Sequence, residues 1–391
     1  MSNLKDKSAI VGIGEGELSP ETAGNRASLA LETIKAAADE AGLDVKDIDG
    51  IVRYTIDASA SDQILAGNLG LKNLSYAAEI PYLGGSACAA VATAAASVMA
   101  GLANYVVCYR ASTAFDFGDG ARHSSSTIWS RDAGAAEFLR PYGFMSMMDV
   151  FALIYERHCY KYGTTSDQIA AIPIAARKHA ARNPRAFLRD QPLTIEDYRN
   201  SPTVTGRLKE ADVGCGRPGG RACACIVTSV ERARDLKQTP ARIMAAATGE
   251  GHDCPMIWEM WPLRQEPTEM ASKYVAQRLF NMAGVTPKDI DVAEIYDCCS
   301  IHVLIQIEDY GFCKKGDGGS FVQDGRIELG GEIPIITHGG TLAFGGVHGF
   351  DHVLEGVRQV RGTSTAQVED AELVLVTSSA PVPTGALILR R

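Results

Sequence analysis

The segment Ala41-Gly42-Leu43-Asp44-Val45-Lys46-Asp47-Ile48-Asp49 recurs as Ala283-Gly284-Val285-Thr286-Pro287-Lys288-Asp289-Ile290-Asp291, with six of nine positions identical at an offset of 242 residues. Each copy follows an amphipathic stretch. Ala27, Leu31, Ile34 and Ala38 share one helical face in the first, and Val275, Leu279, Met282 and Ala283 in the second. Each copy also precedes a short apolar run, Ile51-Val52-Arg53-Tyr54 or Val292-Ala293-Glu294-Ile295-Tyr296. The pattern predicts a helix, an Ala-Gly stop and a strand, twice over. The period is too long for a solenoid. It predicts two similar units made by duplication, residues 1–235 and 236–391.

Further strands are predicted at Ser8 to Gly14, Asn104 to Arg110, Ala222 to Thr228, Glu372 to Ser378 and Gly385 to Leu389. Ser86 to Ala100 is rich in alanine, ends at Gly101, and reads as a helix buried on all sides. Strands alternating with helices predict an α/β fold in layers. Residues 111–205 carry no clean period and read as a long excursion from the first unit, either a lid or binding loop or a plain structural insertion.

Composition narrows the function classes. Charged residues at 22% and hydrophobic residues at 46% exclude a disordered chain. A net charge of −9 disfavours bulk nucleic-acid binding. No 18-residue apolar window appears, so no membrane span is expected. The first residues, Met1 to Lys7, lead straight into a strand without the pattern of a secretory signal, and a cytoplasmic protein is expected. The ten cysteines contain no Cys-x-x-Cys pair, so most are read as reduced and buried, and no zinc knuckle is expected.

Four places could carry chemistry. Cys88 follows Gly84-Gly85-Ser86 and falls in the first turn of the buried helix, where free N–H groups and the helix dipole favour a thiolate. The competing reading is a small core cysteine. Tyr296 stands at a strand's carboxyl end, where α/β folds place ligands, and could donate a hydrogen bond to a developing oxyanion; it also reads as an aromatic core residue. The run from His338 to Gly349 holds Gly339, Gly340, Gly345, Gly346 and His348 before a helix. Such a loop brings backbone N–H groups and an imidazole close to a substrate, or serves as a structural turn. Metal ligation is expected neither there nor elsewhere. Arg217, in Arg217-Pro218-Gly219-Gly220-Arg221, is a candidate contact for a phosphorylated ligand or simply a solvated turn residue. No Walker loop or dinucleotide fingerprint occurs.

Taken together, the duplicated halves, the buried helix after Gly84-Gly85-Ser86, the His338-Gly339-Gly340 loop and the ending from Ala371 to Leu389 resemble the thiolase superfamily. The sequence from Arg177 to Pro184 is similar to the sterol-carrier-protein-type branch. Within it, Glu294 to Cys298 and Val347 to Glu355 resemble the steroid side-chain aldolases and the thiolase subunit of benzoylsuccinyl-CoA thiolase, an enzyme of anaerobic toluene degradation. The resemblance covers the whole chain. It implies a duplicated thiolase fold, an acyl-CoA substrate with coenzyme A as co-substrate and no covalently bound cofactor, a homodimer, and a small OB-fold or zinc-ribbon partner completing a heterotetramer.

The resemblance has departures. Counting back from Gly101 puts the family's nucleophile position near Gly84, one turn before Cys88. The second thiolase cysteine is missing from Thr377 to Pro383. The Gly-His-Pro loop has become Gly345-Gly346-Val347-His348, and Gly346 stands where the aldolases carry a second tyrosine. The loss of that tyrosine favours thiolytic cleavage of a 3-oxoacyl-CoA, such as 2-benzoylsuccinyl-CoA, through an acyl-enzyme on Cys88. In that scheme Tyr296 and the loop polarise the keto oxygen, and His348, or else His338, moves the proton. A retro-aldolase acting on a 3-hydroxyacyl-CoA and a non-catalytic binding subunit are the rivals.

Overall fold

The computed structural model describes residues 4–18, 25–54, 60–81, 83–113, 140–144, 146–214, 220–251, 266–379 and 384–391. In chain order the first half contains β1 (Ser8–Leu18), α1 (Arg26–Ala41), β2 (Gly50–Tyr54), α2 (Asp62–Leu69), β3 (Tyr76–Ile80), α3 (Ser86–Met99) and β4 (Val106–Thr113). Then come α4 (Met147–Tyr162), α5 (Ser166–Ala180), α6 (Ile195–Asn200) and β5 (Gly220–Ser229). The second half contains β6 (Ala241–Gly249), α7 (Ser272–Ala283), β7 (Val292–Glu294), α8 (Ser300–Asp309), α9 (Phe350–Arg361), β8 (Leu373–Ser379) and β9 (Thr384–Arg390).

Nine of the described strands form one mixed sheet in the order β3-β2-β4-β5-β1-β6-β9-β8-β7. The repeat is visible in that order. In the first half β2 is parallel to β3 and β4, while β5 runs antiparallel to β4 and β1. In the second half β7 is parallel to β8, while β9 runs antiparallel to β8 and β6. Where a counterpart of β3 would lie, a single parallel bridge joins Ala293 to Ile335. The halves meet where Ala9 and Ile10 of β1 pair with Arg242 and Ala241 of β6.

The repeated Ala-Gly stops have one physical cause. Gly42 and Gly284 close α1 and α7 at φ of 72° and 71°, a left-handed conformation that costs glycine least. Residues 111–205 are more regular than their composition predicts: from residue 140 onward the described part is largely helical. Ser146 with Asp149, Thr165 with Gln168, and Thr194 with Asp197 form capping boxes at the starts of α4, α5 and α6. Those Ser/Thr-x-x-Asp/Gln signatures are the signal that the missing period conceals. Residues 114–139 of this excursion lie outside the described residues.

Helix α3 is buried along nearly its whole length, from Ser86 to Val98. Its alanines let strands of both halves approach closely, and it shares a core with Phe350, Val353, Leu354 and Val357 of α9. The N-termini of these two helices therefore converge at the carboxyl ends of β2, β4, β7 and β8.

Candidate active site

Tyr296 lies two residues past β7 and is 1% exposed. A glycine flanks its ring on either side. A Cβ built on Gly84 would fall 2.7 Å from ring atoms Cε1 and Cζ and 2.8 Å from the phenol oxygen. A Cβ on Gly349, at φ 89°, would fall 2.8 Å from Cδ2. The ring occupies a slot that exists because both positions lack a side chain. Its hydroxyl lies beside the Cys298 thiol. Burial, with Cys298 beside it, holds the phenol well above its ordinary pKa, while the Arg110 guanidinium pulls the other way.

His348 stacks on Tyr296 with ring centroids 6.0 Å apart and 29° between planes. Its φ of 56° is left-handed, a strained setting for a non-glycine residue. The Tyr54 hydroxyl donates to the His348 carbonyl at 3.1 Å. Burial and the Arg110 charge push the imidazole well below its usual pKa, so it is neutral at pH 7. Arg110, fully buried within β4 and three residues before its carboxyl end, lies 4.6 Å over the Tyr54 ring. Sequence reasoning passed over Arg110. The available signal was a charged residue directly after the apolar run Val106 to Tyr109.

Behind these groups runs a buried chain of alternating charge, Glu294–His338–Asp351–His352–Asp297. His338 Nδ1 is 3.2 Å from Glu294 and its Nε2 is 2.9 Å from Asp351. His352 is 3.3 Å from Asp351 and 3.2 Å from Asp297. Burial opposes a charge on His338, but the hydrogen bonds it donates to Asp351 and Glu294 prevail and its pKa stands at about 9. His338 is thus a cation locked between carboxylates, poorly suited to accept a proton. His338, Asp351 and His352 bring donor atoms within 4.8 Å of one another, the spacing a metal ion would need, but those atoms are spent on each other as ion pairs.

The glycine loop is held by the same carboxylates. Asp297 accepts from the backbone N–H groups of Thr341 and Leu342 at 2.8 and 3.0 Å, capping the π-type turn Gly340–Phe344. Asp351 accepts from Val347 N–H at 2.9 Å. A Cβ on Gly340 would meet the Asp297 carboxylate, one on Gly346 the Asp351 carboxylate, and one on Gly339 the Ala180 methyl of α5. Protein atoms take the space that Gly339, Gly340 and Gly346 release. Gly345, at φ 77°, is set by its backbone turn. Arg217 lies outside the described residues.

Cys88 is placed differently from its expected role. Its backbone N–H donates to Ser378 Oγ at 2.9 Å, and its thiol points to the Val376 carbonyl at 3.6 Å. Burial pushes the thiol up to about 12, partly opposed by Ser378. The helix N-terminus does not deliver a thiolate, because the side chain leaves the first turn toward the core. Cys298 was also overlooked by the sequence reading. It is half-buried, touches Tyr296, and has its sulfur 2.9 Å from His302 Nδ1.

Residues 249–388 match the family model described as thiolase C-terminal domain-like. The chain is 38% identical to a steroid side-chain-cleaving aldolase of Thermomonospora curvata, covering 100% of this chain and 99% of the relative. It is 39% identical to a 17-hydroxy-3-oxo-4-pregnene-20-carboxyl-CoA lyase of Mycobacterium tuberculosis, covering 99% and 100%. A benzoylsuccinyl-CoA thiolase subunit of Thauera aromatica is 28% identical over 59% of each chain. The solved Ltp2-ChsH2(DUF35) aldolase superposes with a TM-score of 0.90 at 37% identity, covering 100% and 99%. The expectation of thiolytic cleavage through a Cys88 acyl-enzyme is therefore corrected. Full-length relatives at this identity are aldolases and lyases, thiolases match more distantly, and the Cys88 thiol is turned away from the site. The missing tyrosine at Gly346 misled the inference, because the centre already holds Tyr54, Tyr296 and His348. The chain belongs to the thiolase superfamily, in the sterol-carrier-protein-type branch that includes the side-chain-cleaving aldolases.

Proposed function

We propose that this protein is a carbon–carbon lyase that cleaves a 3-hydroxyacyl-CoA by a retro-aldol reaction. One observation carries the reading: the phenol of Tyr296 fills the mouth of α3 where a nucleophile would sit, and the nearest thiol on that helix, Cys88, is protonated and turned inward. The relatives' names favour a bulky, ring-bearing acyl chain.

Retro-aldol cleavage needs a base at the 3-hydroxyl and an acid at C2. The two stacked rings are tuned in opposite directions. His348 is held neutral and accepts the hydroxyl proton as the C2–C3 bond breaks. Tyr296 is held protonated and returns a proton to C2 of the thioester enolate. Arg110 places a fixed positive charge near both and steadies the anion between the two transfers. The proton on His348 then resets Tyr296. The products are a ketone or aldehyde and a shortened acyl-CoA, so coenzyme A serves as the substrate's handle and not as a second substrate.

The solved relative is named as a complex with a DUF35 protein. A small OB-fold partner of that kind, carrying any zinc the assembly contains, completes the proposed enzyme, with a homodimer of this chain at its centre. Among the described residues no helix is long and apolar enough to cross a membrane.

The test is mass spectrometry of reactions with a 3-hydroxyacyl-CoA bearing a ring substituent, run with and without free CoA. Release of the ketone and the shortened thioester without added CoA, and with no acyl adduct on the protein, is expected. Cleavage that requires free CoA and leaves an adduct would overturn the proposal.

A further inference from the structure

Gly84 needs an explanation that its backbone does not supply. It sits in the short turn Leu83–Gly85 that enters α3, and it is not among the glycines with positive φ. An L-residue would fit its conformation. What forbids one is the Tyr296 ring, three of whose atoms lie within 2.8 Å of the missing Cβ, well inside ordinary van der Waals contact. The ring must shift to admit a side chain there. An added Cβ on Gly349 would likewise fall 2.8 Å from Cδ2 and 3.2 Å from Cε2, and the Cys298 thiol lies beside the phenol.

We propose that Gly84 is the positioning residue for the Tyr296 phenol, and that the space at the mouth of α3 holds either that phenol or a side chain at position 84, never both. This rests on the lyase reading for its catalytic meaning but not for its steric claim. A nucleophile at the entrance of this buried helix and a phenol acid in the slot are mutually exclusive, so one glycine commits the site to non-covalent chemistry.

Two experiments separate the steric claim from the functional one. In the first, Gly84→Ala displaces the phenol by about an ångström and lowers kcat roughly 10²-fold, with KM nearly unchanged. In a Tyr296→Phe background the same substitution lowers kcat less than twofold further, because the group it acts through is gone. An equal loss in both backgrounds, or a Gly84→Ala protein at the parent rate, would overturn the proposal. Should Gly84→Ala fold poorly, adding Tyr296→Ala restores its melting temperature; no recovery counts against the idea.

The second needs no turnover. Gly84→Cys is labelled with iodoacetamide and the modified peptide quantified, with Tyr296 intact and with Tyr296→Ala. Removing the ring is expected to raise labelling of the introduced thiol at least tenfold. Equal labelling in the two backgrounds sinks the steric claim. If no variant or parent cleaves a 3-hydroxyacyl-CoA, the lyase reading fails while this result still judges Gly84.

Discussion

Tyr54 and Tyr296 are separated by the offset of the internal repeat, 242 residues, and face the same imidazole from their two halves. Their ring centroids lie 6.5 and 6.0 Å from His348. Duplication has delivered a pair of phenols to one histidine, but their environments divide the work. Tyr54 donates its hydroxyl to the His348 carbonyl and holds the loop. Tyr296 has its hydroxyl beside a thiol and a guanidinium.

That division predicts unequal phenylalanine variants. Tyr296→Phe is expected to lower retro-aldol kcat by about 10²–10⁴-fold, the range of a lost acid/base group. Tyr54→Phe removes one neutral hydrogen bond, worth about 1 kcal/mol, and should cost less than tenfold. Steady-state kinetics on both variants decide it. Similar losses would mean that the phenols share one role.

Cys88→Ala should remain an active enzyme. The thiol is a core group, so its removal costs stability of about 1–2 kcal/mol through a small cavity and leaves turnover within a factor of about three. Iodoacetamide should label Cys88 slowly, because its pKa stands near 12. A Cys88→Ala protein that folds but has lost turnover would restore the covalent mechanism.

The buried charge chain gives stability an alkaline limb. The His338 pKa is raised from 6.5 to about 9, so its contribution is fully present below about pH 6.5 and is lost as pH rises through 9. The depressed His348 acts at the other end. The unfolded chain takes up that proton below about pH 6.5 and the native site resists it, so stability falls as pH falls. Melting temperature against pH should be domed, and His338→Gln should flatten the alkaline side. An unchanged alkaline slope in that variant would place the titration elsewhere.

Gly346→Ala tests whether the loop is built for substrate or for carboxylates. A methyl there collides with Asp351, which holds both His338 and His352. Destabilisation of about 1–3 kcal/mol is expected in thermal or denaturant unfolding. A variant of unchanged stability with a raised KM would mean that the space belongs to the substrate.

Some of this was written plainly in the chain. The repeated Ala-Gly stop, the alternating strands and the alanine-rich helix determine a duplicated α/β fold, because helix termination and face periodicity are local properties of neighbouring residues. The place of Tyr296 was legible for the same reason, just past a strand's carboxyl end. Tertiary structure alone decided the chemistry. A cysteine in a helix's first turn reads as a nucleophile until packing shows its sulfur against the Val376 carbonyl. The histidines His338 and His348 look alike in sequence, yet the carboxylates Asp351 and Glu294 make one a cation, while burial and Arg110 keep the other neutral. Gly84 and Tyr296 are 212 residues apart, and only the fold brings a missing Cβ against a ring. Protonation state and free volume depend on which distant groups share a buried space, and no local pattern encodes that.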